Sequence, residues 1–182
     1  MNKALLVIDY TNDFVASEGA LTCGVAGQQL EPKIASLVEE FIAQQELVLF
    51  ANDLHQLDDP YHPESKLFPP HNLKGSNGRN LYGSIQNVFE KYQNQPNVIS
   101  MDKTRYSAFA GTPLQLILNE RNISEVHLVG VCTDICILHT AVDAYNLGMH
   151  TVIYKNGVAS FNPQGHDWAL DHFQNSLGFD VK

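Results

Sequence analysis

Short, mainly apolar stretches recur along the chain, each followed by a polar or glycine-containing segment. They lie at residues 4–8, 47–51, 97–101, 125–131 and 151–154, with a shorter candidate at 179–181. Stretches of this length with few charged positions are typical of strands that are buried on both faces of a sheet. The pattern therefore predicts a parallel sheet with six strands.

The segments between these stretches carry apolar residues at helical spacing. Between 27 and 45 the apolar residues repeat at steps of three and four and form one stripe of a helix: Leu30, Ile34, Leu37, Val38, Phe41 and Ile42. Further helices are predicted at 84–93, at 113–121, from Thr133 or Asp134 to about Gly148, and at 163–176. Strands that alternate with helices predict one doubly wound α/β domain over residues 1–182, with a mainly parallel sheet flanked by helices.

The composition is that of a globular protein with an acidic surface. Hydrophobic residues make up 44% of the chain, charged residues 17%, and the formal net charge is −9. A surface of this sign repels phosphate backbones and anionic lipid, which argues against nucleic acid and membrane partners. No apolar run reaches the ~20 residues of a membrane span, and the three cysteines do not make a disulfide framework. We therefore expect a cytoplasmic protein with reduced thiols.

Chemically useful side chains follow the ends of the predicted strands. Asp9, Asp53, Lys103 and the segment 131–136 all lie at such ends, and the active sites of parallel α/β domains lie beyond this edge of the sheet. Cys136 falls in the first turn of a predicted helix, where the helix dipole lowers the pKa of a thiol and free N–H groups can hold an oxyanion. These features predict Cys136 as a nucleophile.

Asp9 and Lys103 are candidate partners of this thiol. A carboxylate that closes a buried strand is partly desolvated, which raises its pKa toward a value useful for proton transfer. Lys103 would place a cation beside the thiolate and the carboxylate. Plainer interpretations stay open, because inert buried cysteines, turn-capping aspartates and exposed lysines are all common. Cys132, at the exit of the strand, is better suited to supply a backbone N–H.

A long loop rich in histidine and proline follows Asp53 and predicts a metal site. Asp53 and His55 project to the same side of an extended segment, and Glu64 and His71 follow in the loop. Two imidazoles with one or two carboxylates suit a divalent ion, first of all zinc, with iron and manganese as alternatives. His62 is a weaker candidate in the same stretch. The alternative is that these histidines are polar surface residues.

Taken together, these residues resemble the nicotinamidase branch of the isochorismatase-like cysteine hydrolases over nearly the whole chain. The similarity is greatest to nicotinamidases of Gram-positive bacteria. It rests on Asp9 at the end of the first strand, the Asp53-x-His55…His71 loop, Lys103 before Tyr-Ser-Ala-Phe, and Gly130-Val131-Cys132-Thr133-Asp134-Ile135-Cys136. It implies the strand order 3-2-1-4-5-6 and one bound divalent ion. The implied reaction is hydrolysis of nicotinamide to nicotinate and ammonia through a cysteine thioester, in NAD salvage.

The resemblance also implies a role for each position. The catalytic triad would be Asp9, Lys103 and Cys136. The metal ligands would be Asp53, His55, Glu64 and His71. The oxyanion hole would be the backbone N–H groups of Cys132 and Cys136, with a cis peptide between Val131 and Cys132. The substrate-binding residues would be Phe14, Phe68, Tyr106 and Val131.

Three other interpretations stay open on the sequence alone. One is a catalytically dead relative kept for protein binding, against which the intact triad argues. Another cysteine amidase of the same fold, acting on a carbamoyl compound or another small amide, would share the triad. A phosphoacceptor signalling domain also has acidic residues at strand ends and a lysine beyond a later strand, here Asp9, Asp53 and Lys103. That hypothesis leaves the histidine loop and Cys136 without a role. We expect nicotinamide as the small-molecule partner and a homo-oligomer as the assembly.

Overall fold

The computed structural model describes residues 2–182 and contains a six-stranded sheet. The strands are β1 (Asn2–Ile8), β2 (Leu47–Asp53), β3 (Val98–Lys103), β4 (Ile123–Val131), β5 (His150–Ala159) and β6 (Asp180–Val181). Their order is β3-β2-β1-β4-β5-β6, and each neighbouring pair is parallel. The predicted α/β class and strand order are confirmed.

Helices cover both faces of the sheet. They are α1 (Asn12–Val15), α2 (Gly24–Gln28), α3 (Glu31–Ala43), α4 (Ser84–Tyr92), α5 (Leu114–Glu120), α6 (Leu138–Asn146) and α7 (Pro163–Asn175). Apolar residues of α3 and α4 pack in one core, and those of α5, α6 and α7 pack in the other. Within residues 2–182, none of these helices has the length and apolar character that a bilayer span requires.

Strand β1 shows why its sequence is apolar at every position. Ala4, Leu6 and Ile8 pack in the core beneath α5–α7, whereas Leu5 and Val7 pack in the core beneath α3 and α4. Successive side chains of a strand point to opposite faces, so a central strand needs apolar residues throughout. Burying each of the larger side chains contributes ~1.5–3 kcal/mol.

Several predicted boundaries are wrong in detail. The helix predicted over 27–45 is divided into α2 and α3, and Pro32 lies in the first turn of α3. Proline has no N–H to donate and clashes with the preceding turn, so it favours the start of a new helix over continuation of the old one. Strand β5 continues past the predicted end at residue 154 to Ala159. Lys103 is the last residue of β3, whereas the prediction places it after the strand.

The segment around Cys136 also differs from its prediction. A π-helical turn, Thr133–Ile137, precedes α6, and Cys132 occupies the N-cap position without a side-chain cap. Thr133 and Asp134 do not cap this helix as predicted, because their side chains bind the chain near the start of α7. Thr133 Oγ1 lies 2.8 Å from His166 Nδ1. We call Thr133–Ile137 the Cys136 turn below.

Candidate active site

Asp9 follows β1 directly, at the carboxyl edge of the sheet, and its side chain is fully buried. Its φ of 54° lies in the left-handed region, which most side chains avoid and which Asp tolerates better than most. The Asp9 N–H donates to the Ala51 carbonyl at 3.0 Å, and Oδ1 accepts the Asp53 N–H at 2.7 Å. The carboxylate is therefore held against the end of β2.

Lys103 lies between two buried carboxylates and is itself only 1% exposed. Its Nζ lies 2.7 Å from Asp9 Oδ2, 2.5 Å from Asp53 Oδ1 and 3.6 Å from Cys136 Sγ. Burial opposes the charge, but the two carboxylates outweigh burial and hold the pKa of Lys103 well above its ordinary value. The interpretation of Lys103 as an exposed surface lysine is therefore wrong, and the residue carries a permanent positive charge at the centre of the cluster.

Cys136 is buried, and its Sγ lies within 4.8 Å of a carboxylate oxygen of Asp9. Burial raises the pKa of the Cys136 thiol well above its ordinary value, and Lys103 offsets only part of this effect. The lowering by the helix dipole that the sequence predicted is thus outweighed by desolvation. Burial and the neighbouring Asp53 also raise the pKa of Asp9 to about 6, against the opposing effect of Lys103. At neutral pH the thiol keeps its proton, and a carboxylate able to accept it lies beside it.

Four further side chains form a buried cluster next to the thiol: Asp53, His55, Glu64 and His71. One ligand atom of each lies within 4.8 Å of the others. Asp53 Oδ2, His55 Nε2 and His71 Nε2 are buried without a hydrogen-bond partner, a costly arrangement unless an ion occupies the space between them. His71 Nδ1 lies 2.8 Å from the Pro69 carbonyl, which leaves Nε2 with its lone pair free. The donor set fits a borderline divalent ion.

Asp53 links the metal-ligand cluster to the Asp9–Lys103–Cys136 group, whereas His62 lies outside both. Asp53 belongs to both groups, because Oδ1 accepts from Lys103 while Oδ2 lies toward the histidines. His62 is not among the clustered ligands. Its Nε2 lies 2.8 Å from the Thr104 carbonyl, and its Nδ1 accepts the Glu64 N–H at 3.3 Å. Both ring nitrogens of His62 are therefore engaged in holding the loop.

The predicted oxyanion segment begins at the end of β4. The peptide bond between Val131 and Cys132 is cis, as the resemblance implied. The Cys132 carbonyl accepts the N–H groups of Ile135 and Ile137, both at 3.1 Å, which ties Cys132 to the Cys136 turn. The Cys132 thiol lies 3.5 Å from that of Cys23, whereas it is Cys136 that contacts Lys103.

A narrow cleft leads to the Cys136 thiol. It is lined by Phe14, Leu21, Asp53, Glu64, Phe68, Tyr106, Cys132, Ile135, Cys136 and Phe161. The structure thus brings together three of the four predicted substrate residues, and the fourth, Val131, packs in the core beneath α3 and α4. Leu21, Ile135 and Phe161 were missed. Ile135 could have been found from its place beside Cys136. Nothing in the sequence marked Leu21 or Phe161, because the predicted strand ends at residue 154 whereas β5 continues to Ala159.

A family comparison agrees with this geometry. The Isochorismatase domain profile matches residues 3–179. The chain belongs to the isochorismatase family. Among curated proteins, it is 59% identical over 181 residues to the isochorismatase family protein PncA of Bacillus subtilis, covering 100% of this chain and 99% of that protein. It is also 32% identical to the nicotinamidase/pyrazinamidase of Mycobacterium tuberculosis, covering 96% and 95% of the two chains.

Solved structures agree with the fold over the whole length. The crystal structure of nicotinamidase PncA from Bacillus subtilis superposes with a TM-score of 0.97 at 58% identity, covering 100% of this chain and 99% of that one. The nicotinamidase of Staphylococcus aureus gives a TM-score of 0.87 at 47% identity, covering 100% and 98%. The isochorismatase-like fold is therefore established for this family member.

Proposed function

We propose that this protein hydrolyses nicotinamide to nicotinate and ammonia. The observation that carries the proposal is the buried Asp9–Lys103–Cys136 group beside a four-ligand metal cluster. Relatives of high identity that cover the whole chain are named nicotinamidases, which supports the same substrate here. A role in NAD salvage follows from this reaction, because nicotinate is a precursor that salvage reuses.

Asp9 begins the reaction as a general base. It takes the proton from the Cys136 thiol, and the thiolate attacks the amide carbon of the substrate. Because the pKa of Asp9 is raised to about 6, the carboxylate is ionised at neutral pH yet basic enough to accept a proton. The permanent charge of Lys103 stabilises the thiolate as it forms.

The amide oxygen gains negative charge in this step. The backbone N–H groups of Cys132 and Cys136 are the donors that would hold it, since Cys132 occupies the N-cap position of the Cys136 turn and Cys136 lies within that turn. Asp9 then returns its proton to the departing amine, and ammonia leaves. A thioester between the nicotinoyl group and Cys136 remains.

Water completes the cycle. Asp9 takes a proton from a water molecule, and the hydroxide attacks the thioester carbon. The C–S bond then breaks, nicotinate leaves, and Asp9 returns the proton to the Cys136 sulfur. One amide and one water thus give one carboxylic acid and one ammonia. The buried cleft limits the entry of other nucleophiles at this stage.

Asp53, His55, Glu64 and His71 would hold a divalent metal ion, for which we propose zinc. When bound, the ion would supply a coordination site for the pyridine nitrogen of the substrate and so orient the ring. The substrate would be further held by Phe14, Phe68 and Tyr106. Phe14 and Phe68 both lie edge-on to the His71 ring, at 5.2 Å and 6.3 Å between centroids.

Two alternatives fit the site less well. A carbamoyl amidase would use the same triad, but its substrate has no ring nitrogen that could coordinate a metal ion beside the thiol. A phosphoacceptor domain would need an exposed aspartate, and Asp9 and Asp53 are 0% and 1% exposed with Lys103 placed between them. Homo-oligomer formation and a cytoplasmic location stay expectations from the sequence.

Ammonia release from nicotinamide tests the proposal directly. Wild-type protein loaded with zinc should release ammonia and nicotinate in equal amounts, and Cys136→Ala should release neither. A folded, metal-loaded wild-type protein that leaves nicotinamide unchanged would refute it.

A further inference from the structure

The cleft above the Cys136 thiol is too small for the proposed substrate. Its free volume is about 10 Å³, which is room for about one water molecule. A pyridine ring with its carboxamide needs several times that space. One part of the wall must therefore move when the substrate enters.

Burial indicates which part moves. Of the lining residues, Phe14, Asp53, Glu64, Cys132 and Cys136 are all at most 5% exposed. Leu21, Phe68, Tyr106 and Ile135 are partly buried. Phe161 is 40% exposed, the highest value in this set. Among the lining residues, Phe161 is therefore the one whose side chain reaches solvent most.

The side chains on both sides of Phe161 donate hydrogen bonds to one carboxylate. Ser160 Oγ donates to Asp134 Oδ1 at 2.6 Å, and Asn162 Nδ2 donates to Asp134 Oδ2 at 3.3 Å. The Asn162 N–H also donates to Ser160 Oγ at 3.2 Å. Asp134 lies on the Cys136 turn itself. The connection that carries Phe161 is thus bound to the same short element as the nucleophile.

The start of α7 reinforces this attachment. Asn162 Oδ1 accepts the Gly165 N–H at 3.1 Å, which caps the helix. A Cβ at Gly165 would lie 1.9 Å from Asp134 Oδ2, so only glycine lets the helix approach Asp134 this closely. With Ser160 and Asn162 held in this way, a widening of the cleft at this point would come from rotation of the Phe161 side chain and not from movement of its Cα.

We propose that Phe161 forms the entrance of the cleft and limits the size of the amides that reach Cys136, with Asp134 as the residue that positions it. The proposal rests on the proposed function for its substrate, a pyridine carboxamide. The entrance itself depends only on the geometry around the thiol. Ring-substituted nicotinamides would be excluded by the Phe161 side chain more strongly than nicotinamide.

Alkylation of Cys136 tests the entrance without reference to turnover. Rates would be measured with iodoacetamide and with the bulkier N-phenylmaleimide, by mass spectrometry of the Cys136 peptide. In Phe161→Ala, the ratio of the bulky to the small reagent's rate should rise by roughly 10-fold or more, the scale of steric discrimination in apolar pockets. Ser160→Ala, which removes one tie to Asp134, should raise the ratio by a smaller factor.

Trp168→Ala is the matched control. Trp168 is another exposed aromatic residue, at 55% exposure, and lies on α7 without lining the cleft. Its removal should leave the ratio of the two alkylation rates at the wild-type value. An unchanged ratio in a folded Phe161→Ala protein would overturn the proposal, and so would an equal rise in Trp168→Ala.

Turnover then separates this inference from the proposed function. The kcat/KM for methyl-substituted nicotinamides, relative to nicotinamide, should rise in Phe161→Ala. If wild type hydrolyses nicotinamide but this ratio does not change, the size limit assigned to Phe161 is wrong and the proposed function stands. If wild type hydrolyses no nicotinamide, the proposed function fails, and the alkylation rates alone decide whether Phe161 forms the entrance.

Discussion

Replacing Asp9 by asparagine separates the proton-transfer role of this residue from its structural one. Asn keeps an oxygen that can accept the Asp53 N–H, which Asp9 Oδ1 accepts at 2.7 Å. It cannot accept a proton from Cys136. Lys103 keeps its contact with Asp53 at 2.5 Å, so the ammonium does not lose every partner.

The expected loss of activity in Asp9→Asn follows from the role of Asp9 as general base and acid. General acid–base catalysis contributes about 10²–10⁴-fold, and kcat should fall by a factor in that range. In wild type, the pKa of Asp9 is raised from 3.8 to about 6, chiefly by burial. Below that value the base is protonated, so kcat/KM should fall about tenfold per pH unit, and Asp9→Asn should lack this limb.

Stability should move in the opposite direction to activity. A pKa raised from 3.8 to about 6 corresponds to roughly 3 kcal/mol in favour of the neutral carboxyl group. This stabilisation of the folded state is fully present at pH values below the unfolded-state pKa of 3.8. It is lost as the pH rises through the folded-state pKa of about 6. At pH 7 the neutral Asn variant should therefore be at least as stable as wild type, and this advantage should shrink toward pH 4.

The assay is ammonia release from nicotinamide across pH 4–8, together with thermal melts of both proteins. The melts show that any lost activity is not lost folding. Wild-type kcat in a folded Asp9→Asn protein would remove Asp9 from the mechanism. A wild-type profile that stays flat down to pH 4 would contradict the assignment of Asp9 as the base.

Three further outcomes follow from the site and its surroundings. Cys136→Ala should abolish turnover, while Cys132→Ala should retain it, because an oxyanion donor on the main chain survives loss of the side chain; the reverse result in kinetic assays would exchange the two roles. Benzamide, which lacks the ring nitrogen, should react orders of magnitude more slowly than nicotinamide. Chelation or His71→Ala should lower both the amount of bound metal and the rate of nicotinamide hydrolysis. Equal rates for the two amides in the metal-loaded enzyme would show that the ion is structural. Burial opposes ionisation of Glu125, but the hydrogen bonds from histidines outweigh burial and lower the pKa of Glu125 to about 2. The ionised Glu125 side chain therefore stabilises the folded state at pH values above the unfolded-state pKa of this group. This contribution is lost as the pH falls toward 2. Glu125→Gln should accordingly melt at a lower temperature at pH 7 with the difference narrowing toward pH 3, and identical melts at pH 7 would contradict this.

The strands and the candidate ligands could be predicted because they depend on local patterns. An apolar run buried on both faces is visible in residues 4–8 alone, and its polar successor marks the edge where the site lies. The strand order came from the resemblance, which the sheet confirms. Residue types at the strand ends were therefore enough to suggest where the chemistry takes place.

The contacts among those residues depend on features that no local pattern contains. Lys103 lies beside Asp53 because the register between β2 and β3 pairs these two residues, and the register is set by packing across the sheet. The burial that raises the pKa of the Cys136 thiol comes from the core beneath α5–α7, whose residues are scattered along the chain. Phe161 was missed because its position depends on hydrogen bonds from its neighbours to Asp134, far away in sequence.

Trapping the acyl-enzyme tests the central claim most directly. Zinc-loaded protein would be mixed with nicotinamide, quenched in acid during turnover, digested and analysed by mass spectrometry. We predict a nicotinoyl thioester on the Cys136 peptide in wild type and its absence in Cys136→Ala. A nicotinoyl group on Cys132, or rapid turnover with Cys136 unmodified at every quench time, would contradict the account.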